Sequence, residues 1–122
     1  MVLDDETDIV CIFRKSLELT GYGVFAFTDP IMAFDHFKSN IDRYGLIVTD
    51  VRMPNITGIE FAMEIRSLNS DVVIILMSAF DMKDLGIPQG LKITELLQKP
   101  VTPSQLKDVV SKYVRTNSVE IA

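Results

Sequence analysis

The stretch Val72-Val73-Ile74-Ile75-Leu76-Met77 is apolar at every position and is closed by Ser78. A short run of this kind, rich in β-branched residues, fits a strand buried on both faces at the centre of a parallel sheet. Parallel neighbours need crossovers of about a dozen residues or more, normally helical. The chain supplies them in both directions from this run. Shorter apolar runs recur at 1–3, 24–27, 46–48 and, more weakly, 93–97, with helical patterns between.

The helical patterns carry their own start signals. Residues 9–20 place Ile9, Val10, Ile12, Phe13, Leu17 and Leu19 on one broad arc of a helical wheel, opposite Cys11, Arg14, Lys15 and Glu18. Asp29-Pro30 is an N-cap followed by Pro at the first helical position, and Ala33, Phe34 and Phe37 form the predicted core face behind it. A third helix runs over 58–68 and buries Ile59, Phe61, Ala62 and Ile65. The last begins at Thr102-Pro103-Ser104-Gln105, a capping-box pattern, and buries Leu106, Val109, Val110 and Tyr113. Residues 80–92 are the exception: Gly86, Pro88 and Gly90 do not sustain regular helix. Strand alternating with helix reads as an α/β, doubly wound parallel sheet with helices on both faces and a fourth helix that is short or irregular.

Composition narrows the function. A chain of 122 residues is one domain, expected over 1–115 with 116–122 as a tail or linker stub. A net charge of −5 argues against direct nucleic-acid binding, which needs a concentrated basic surface. One cysteine, Cys11, excludes an internal disulfide and suits a reducing cytosol. With His36 the only histidine, an all-His/Cys zinc site is excluded, so a metal here is held mainly by oxygen, as magnesium or calcium is. No apolar run reaches the ~18 residues of a membrane span, and the expectation is a cytoplasmic protein with no membrane association.

In open α/β sheets, ligands sit at the carboxyl ends of the strands. The predicted strand ends carry Asp4-Asp5-Glu6, Asp50, Ser78 and Lys99-Pro100. Clustered carboxylates repel one another unless a cation joins them, and a hard divalent ion resolves that. With magnesium present, an aspartate can attack phosphorus, since carboxylates form aspartyl-phosphates. Ser78 and Lys99 supply a donor and a cation for the transferred group. Taken singly, each residue has a plainer reading: Asp4-Asp5 as a charged cap, Asp50 as a helix N-cap, Ser78 as a turn residue, Lys99 as a solvated lysine. Gly21-Tyr22-Gly23-Val24-Phe25-Ala26 fits a dinucleotide fingerprint but follows a helix and enters a strand, the reverse of the required context. Arg52 stands where a dehalogenase-type phosphatase carries a second aspartate.

Four motifs in order, Leu3-Asp4-Asp5-Glu6, Thr49-Asp50-Val51-Arg52-Met53-Pro54 with Gly58, Met77-Ser78-Ala79 and Lys99-Pro100, resemble the response-regulator receiver domain of two-component signalling over nearly the full length. The resemblance implies a flavodoxin-like strand order 2-1-3-4-5. It implies Asp50 as phospho-acceptor from a sensor histidine kinase or phosphotransfer protein, with the domain assisting its own phosphorylation and dephosphorylation rather than serving as an enzyme. It implies Mg2+ held by Asp5, Asp50 and the backbone carbonyl of Arg52, with Asp4 acting through water. Ser78 becomes the switch hydroxyl, Lys99 the phosphate partner, and Lys99-Pro100 a cis bond.

Three features depart from the family. The first strand opens at Met1 with three apolar residues, where the family has a longer lead-in. Leu96 replaces the aromatic switch residue three positions before Lys99, and residues 80–92 lack a regular helix. Two classes of function stay open: a phosphorylatable switch, and a receiver-like protein-interaction module that does not cycle phosphate. The downstream partner is unread, and the chain is either a single-domain regulator or a piece of a longer protein.

Overall fold

The computed structural model describes residues 1–114, so the expected tail at 116–122 lies outside the described residues. Five parallel strands form one sheet in the order β2-β1-β3-β4-β5. They are β1 (Val2–Leu3), β2 (Ala26–Phe27), β3 (Leu46–Asp50), β4 (Val73–Ser78) and β5 (Glu95–Gln98). The helices are α1 (Thr7–Thr20), α2 (Pro30–Ser39), α3 (Gly58–Leu68) and α4 (Pro103–Tyr113). The order matches the expectation drawn from the sequence.

Side-chain alternation divides the core in two. Leu3, Ile47, Ile74 and Leu76 face Ala33 and Phe37 of α2 and Phe61, Ala62 and Ile65 of α3. Val2, Val48, Ile75 and Met77 face Phe13 and Leu17 of α1 and Leu106, Val109 and Val110 of α4. β4 contributes to both layers, which explains why its sequence alternates nothing.

The helix starts follow local chemistry. Asp29 accepts the Ile31 N–H at 2.9 Å ahead of Pro30. Thr102 and Gln105 close a full capping box, and Thr57 and Glu60 close a second one at α3.

Several expectations are corrected. The buried face of α1 is Val10, Phe13 and Leu17, while Ile12 is 51% and Leu19 80% exposed. At ~100° per residue those two lie roughly 100–120° around the helix from Phe13, outside the stripe that the sheet covers. Tyr113 is exposed and its hydroxyl donates to Glu95 at 2.6 Å. Phe34 and Ile59 are half-buried against the core. β2 and β5 are shorter or shifted relative to the apolar runs, because pairing with β1 and β4 sets their bounds.

The fourth crossover contains a 3-10 turn, Met82–Asp84, rather than an α-helix. Gly86 and Gly90 take φ of 64° and 88°, the left-handed region that breaks helix. Leu85, Ile87 and Leu91 still lean on the core, and Arg66 pins the far end by donating to the carbonyls of Lys92 (2.9 Å) and Val72 (2.6 Å). Among the described residues, no helix is long and apolar enough to cross a membrane.

Candidate functional site

The carboxyl edge of the sheet collects the polar residues that end the strands. Asp4 follows β1 directly and is fully buried, and its Oδ1 accepts the Glu6 N–H at 2.9 Å. Asp5 is exposed beside it. Asp50 ends β3 and Ser78 ends β4, both buried. Lys99, just beyond β5, places Nζ 3.0 Å from Asp50 Oδ1 and 3.7 Å from Asp4 Oδ2. The Lys99 N–H donates to the Ser78 carbonyl at 2.7 Å, and the Lys99-Pro100 bond is cis as the resemblance implied.

The β3–α3 loop is built around close approach. A Cβ at Gly58 would lie 2.2 Å from the Asp50 carbonyl oxygen, so only glycine fits there. The Gly58 N–H donates to the Val51 carbonyl at 2.8 Å, and Asn55 takes φ of 73°. This folding-back holds the backbone of Asp50 to Arg52 at the site's rim.

One carboxylate oxygen each from Asp4, Asp5 and Asp50 lies within 4.8 Å of the others. Burial pushes the Asp4 carboxyl up to about 6, opposed by the Glu6 N–H and reinforced by Asp50. Burial alone would lower the Lys99 ammonium, but its hydrogen bond to Asp50 and the charges of Asp50 and Asp4 outweigh it, and it stands above its ordinary value. One ammonium does not satisfy three carboxylates. Asp4 Oδ2 is buried with no hydrogen-bond partner among the described residues. An orphaned, inward carboxylate oxygen in an all-oxygen donor set fits a hard divalent cation, so the cluster can hold a metal ion.

Each residue singled out at a strand end therefore reaches this edge. Two side chains stand here beyond that expectation, which gave Arg52 a role only through its backbone carbonyl and Phe80 none. The Arg52 guanidinium lies over the Phe80 ring at 4.5 Å, and the Phe80 N–H donates to Ser78 Oγ at 2.9 Å. Both stand two residues beyond a predicted strand end, but no local pattern pairs one loop with another. His36 is half-buried and hydrogen-bonds through Nδ1 to the Tyr44 hydroxyl at 2.5 Å, with Phe25 beside it. Leu96 is half-buried in β5 and packs into the layer beneath α2 and α3.

A five-stranded parallel sheet with this acidic edge defines a class, and the chain belongs to it: residues 1–111 match the response regulator receiver domain family. Among curated relatives, the alkaline phosphatase synthesis transcriptional regulatory protein PhoP of Bacillus subtilis is 30% identical, covering 98% of this chain and 49% of that protein. The response regulator MprA of Mycobacterium bovis is 35% identical, covering 100% of this chain and 53% of that protein. The chain thus spans about half the length of these regulators. Among solved structures, response regulator TrrA from Thermotoga maritima, in complex with Mg2+–BeF, is 31% identical with a TM-score of 0.79 over 93% of this chain and 96% of that one. Chemotaxis protein CheY4 of Vibrio cholerae superposes with a TM-score of 0.83 over 93% of this chain and 95% of that one; at 24% identity it speaks for the fold alone. The chain is a receiver domain homologous to response regulators, and a phospho-accepting role fits its family.

Proposed function

We propose that Asp50 is the residue phosphorylated, and that the unit acts over 1–115 as a cytoplasmic, phosphorylation-driven switch. The observation that carries this reading is the clustering of the Asp4, Asp5 and Asp50 carboxylates beside one ammonium, which lies against Asp50 and Asp4, with no hydrogen bond made to Asp4 Oδ2 among the described residues. The donor is a phosphohistidine on a sensor histidine kinase or phosphotransfer protein. An Asp50 carboxylate oxygen bonds to phosphorus as the phosphorus–nitrogen bond breaks, and the imidazole leaves with the electron pair.

Asp5, Asp50 and the Arg52 backbone carbonyl would hold Mg2+, with Asp4 contributing through water. Bound there, Mg2+ neutralises phosphoryl oxygens that would otherwise meet three carboxylates. Lys99, already 3.0 Å from Asp50, pairs with a phosphoryl oxygen after transfer. Ser78, buried at the end of β4, turns its hydroxyl from the Phe80 N–H toward the new group. What is transmitted is a change of surface, and the protein that reads it is not fixed by the site.

Intact-protein mass spectrometry after exposure to acetyl phosphate tests the reading. One phosphoryl group is expected with magnesium, none with chelator, and none on Asp50→Asn. A non-cycling interaction module stays unmodified under every condition.

A further inference from the structure

Among the described residues, four polar ones are buried: Asp4, Thr49, Asp50 and Ser78. Asp4, Asp50 and Ser78 belong to the edge already described. Thr49, which has no exposed surface, does not. It stands opposite Leu3 of β1 and Leu76 of β4, so its side chain shares the apolar layer beneath α2 and α3. Packing alone does not call for a hydroxyl there, because valine has nearly the same shape and no polar group to bury. The hydroxyl is used on the backbone: Thr49 Oγ1 donates to the Asp50 carbonyl at 2.9 Å.

That carbonyl belongs to the first peptide of the loop leaving β3. The N–H of the same peptide, on Val51, donates to the Met77 carbonyl at 3.0 Å. Helix α3 presses on it from the side, where Gly58 leaves no room for a Cβ. The next peptide is held as well, its Val51 carbonyl accepting the Gly58 N–H at 2.8 Å. The carbonyl after that is the one on Arg52. Peptides are planar, so its direction follows from the two planes before it, and the first of these is tied to Thr49. Resting on the reading that the Arg52 carbonyl holds Mg2+ together with Asp5 and Asp50, we propose that Thr49 is a positioning residue for that metal. Its hydroxyl fixes the plane of the Asp50–Val51 peptide and through it sets the affinity of the site. Partners outside the ligand set commonly orient metal ligands in this way. Without the hydroxyl the buried Asp50 carbonyl loses a donor, and its peptide is freer to turn.

NMR titration of the whole chain with magnesium chloride, after treatment with chelator, tests this. Thr49→Val keeps the shape but not the donor, and it weakens magnesium binding about fivefold. In the same variant the Asp50 carbonyl carbon resonance moves before any metal is added. Thr49→Ser keeps the donor. Losing a buried methyl lowers its Tm, yet it binds magnesium as the unaltered chain does. A threonine that only fills space would give the reverse, with affinity following Tm. Where Asp5→Ala abolishes binding, an affinity unchanged in Thr49→Val, or lost in Thr49→Ser as well, overturns the role of Thr49 and leaves the metal site standing. An unaltered chain that binds no magnesium, or binds it no better than Asp5→Ala, overturns the reading of the site, and the role of Thr49 with it.

Discussion

Removing one negative charge from the acidic cluster should make the metal-free protein more stable. Asp4→Asn is the cleanest perturbation, because Asn keeps an oxygen to accept the Glu6 N–H and turns the orphaned Oδ2 position into a donor facing carboxylates. Burial holds the Asp4 carboxyl at about 6 against an ordinary value of 3.8. The folded state therefore binds the Asp4 proton more tightly than the unfolded state does. This contribution to stability is fully present below pH 3.8 and is lost as pH rises through about 6. At neutral pH a rise of this size corresponds to ~3 kcal/mol. Solvent at the open edge, where Asp5 and Lys99 reach water, reduces this to ~1–2 kcal/mol. For a domain of this length, that is a rise in Tm of roughly 3–8 °C. Thermal melts at neutral pH in chelator should display this rise for Asp4→Asn, shrinking in acid and shrinking or reversing in millimolar magnesium. A variant equal to or less stable than the unaltered chain at neutral pH without magnesium would refute the electrostatic reasoning.

Magnesium itself should raise the Tm of the unaltered protein by mass action, and Asp5→Ala should abolish that rise, as titration by scanning calorimetry would register. Gly58→Ala should destabilise the fold by about 2 kcal/mol or more in urea unfolding, since the added methyl meets the Asp50 carbonyl at 2.2 Å. Residues 80–92 should exchange amide hydrogens faster than β4 at rest and gain protection with magnesium beryllofluoride. Leu96 has no ring to rotate between two environments, so the expected route of the signal is a change in the order of that segment. Slow and identical exchange in both states would contradict this.

Much of this was legible because the informative signals are local. The apolar run ending at Ser78, the Asp29-Pro30 cap and the Thr102–Gln105 box each specify one element from a few adjacent residues. The strand-end rule then turns the positions of Asp4, Asp5, Asp50, Ser78 and Lys99 into a single edge, because all five strands of a parallel sheet point the same way. The Thr57–Glu60 capping box is equally readable from its spacing. What escaped is what depends on distant partners. Ile12, Leu19 and Tyr113 stay exposed because neighbouring elements, rather than their own helices, decide how wide a face is covered. The contact of Arg52 with Phe80 joins two loops far apart in the chain, and no periodicity encodes it.

The central claim is that Asp50 carries the phosphoryl group, and chemical trapping addresses it most directly. Borohydride reduces an acyl phosphate at the carboxyl carbon and leaves a stable mark on the residue that bore it. After labelling with acetyl phosphate and magnesium, peptide mass spectrometry should find that mark on Asp50 alone, and no mark when magnesium is withheld. Reduction at Asp4 or Asp5 instead, or labelling that persists in Asp50→Asn, would contradict the account.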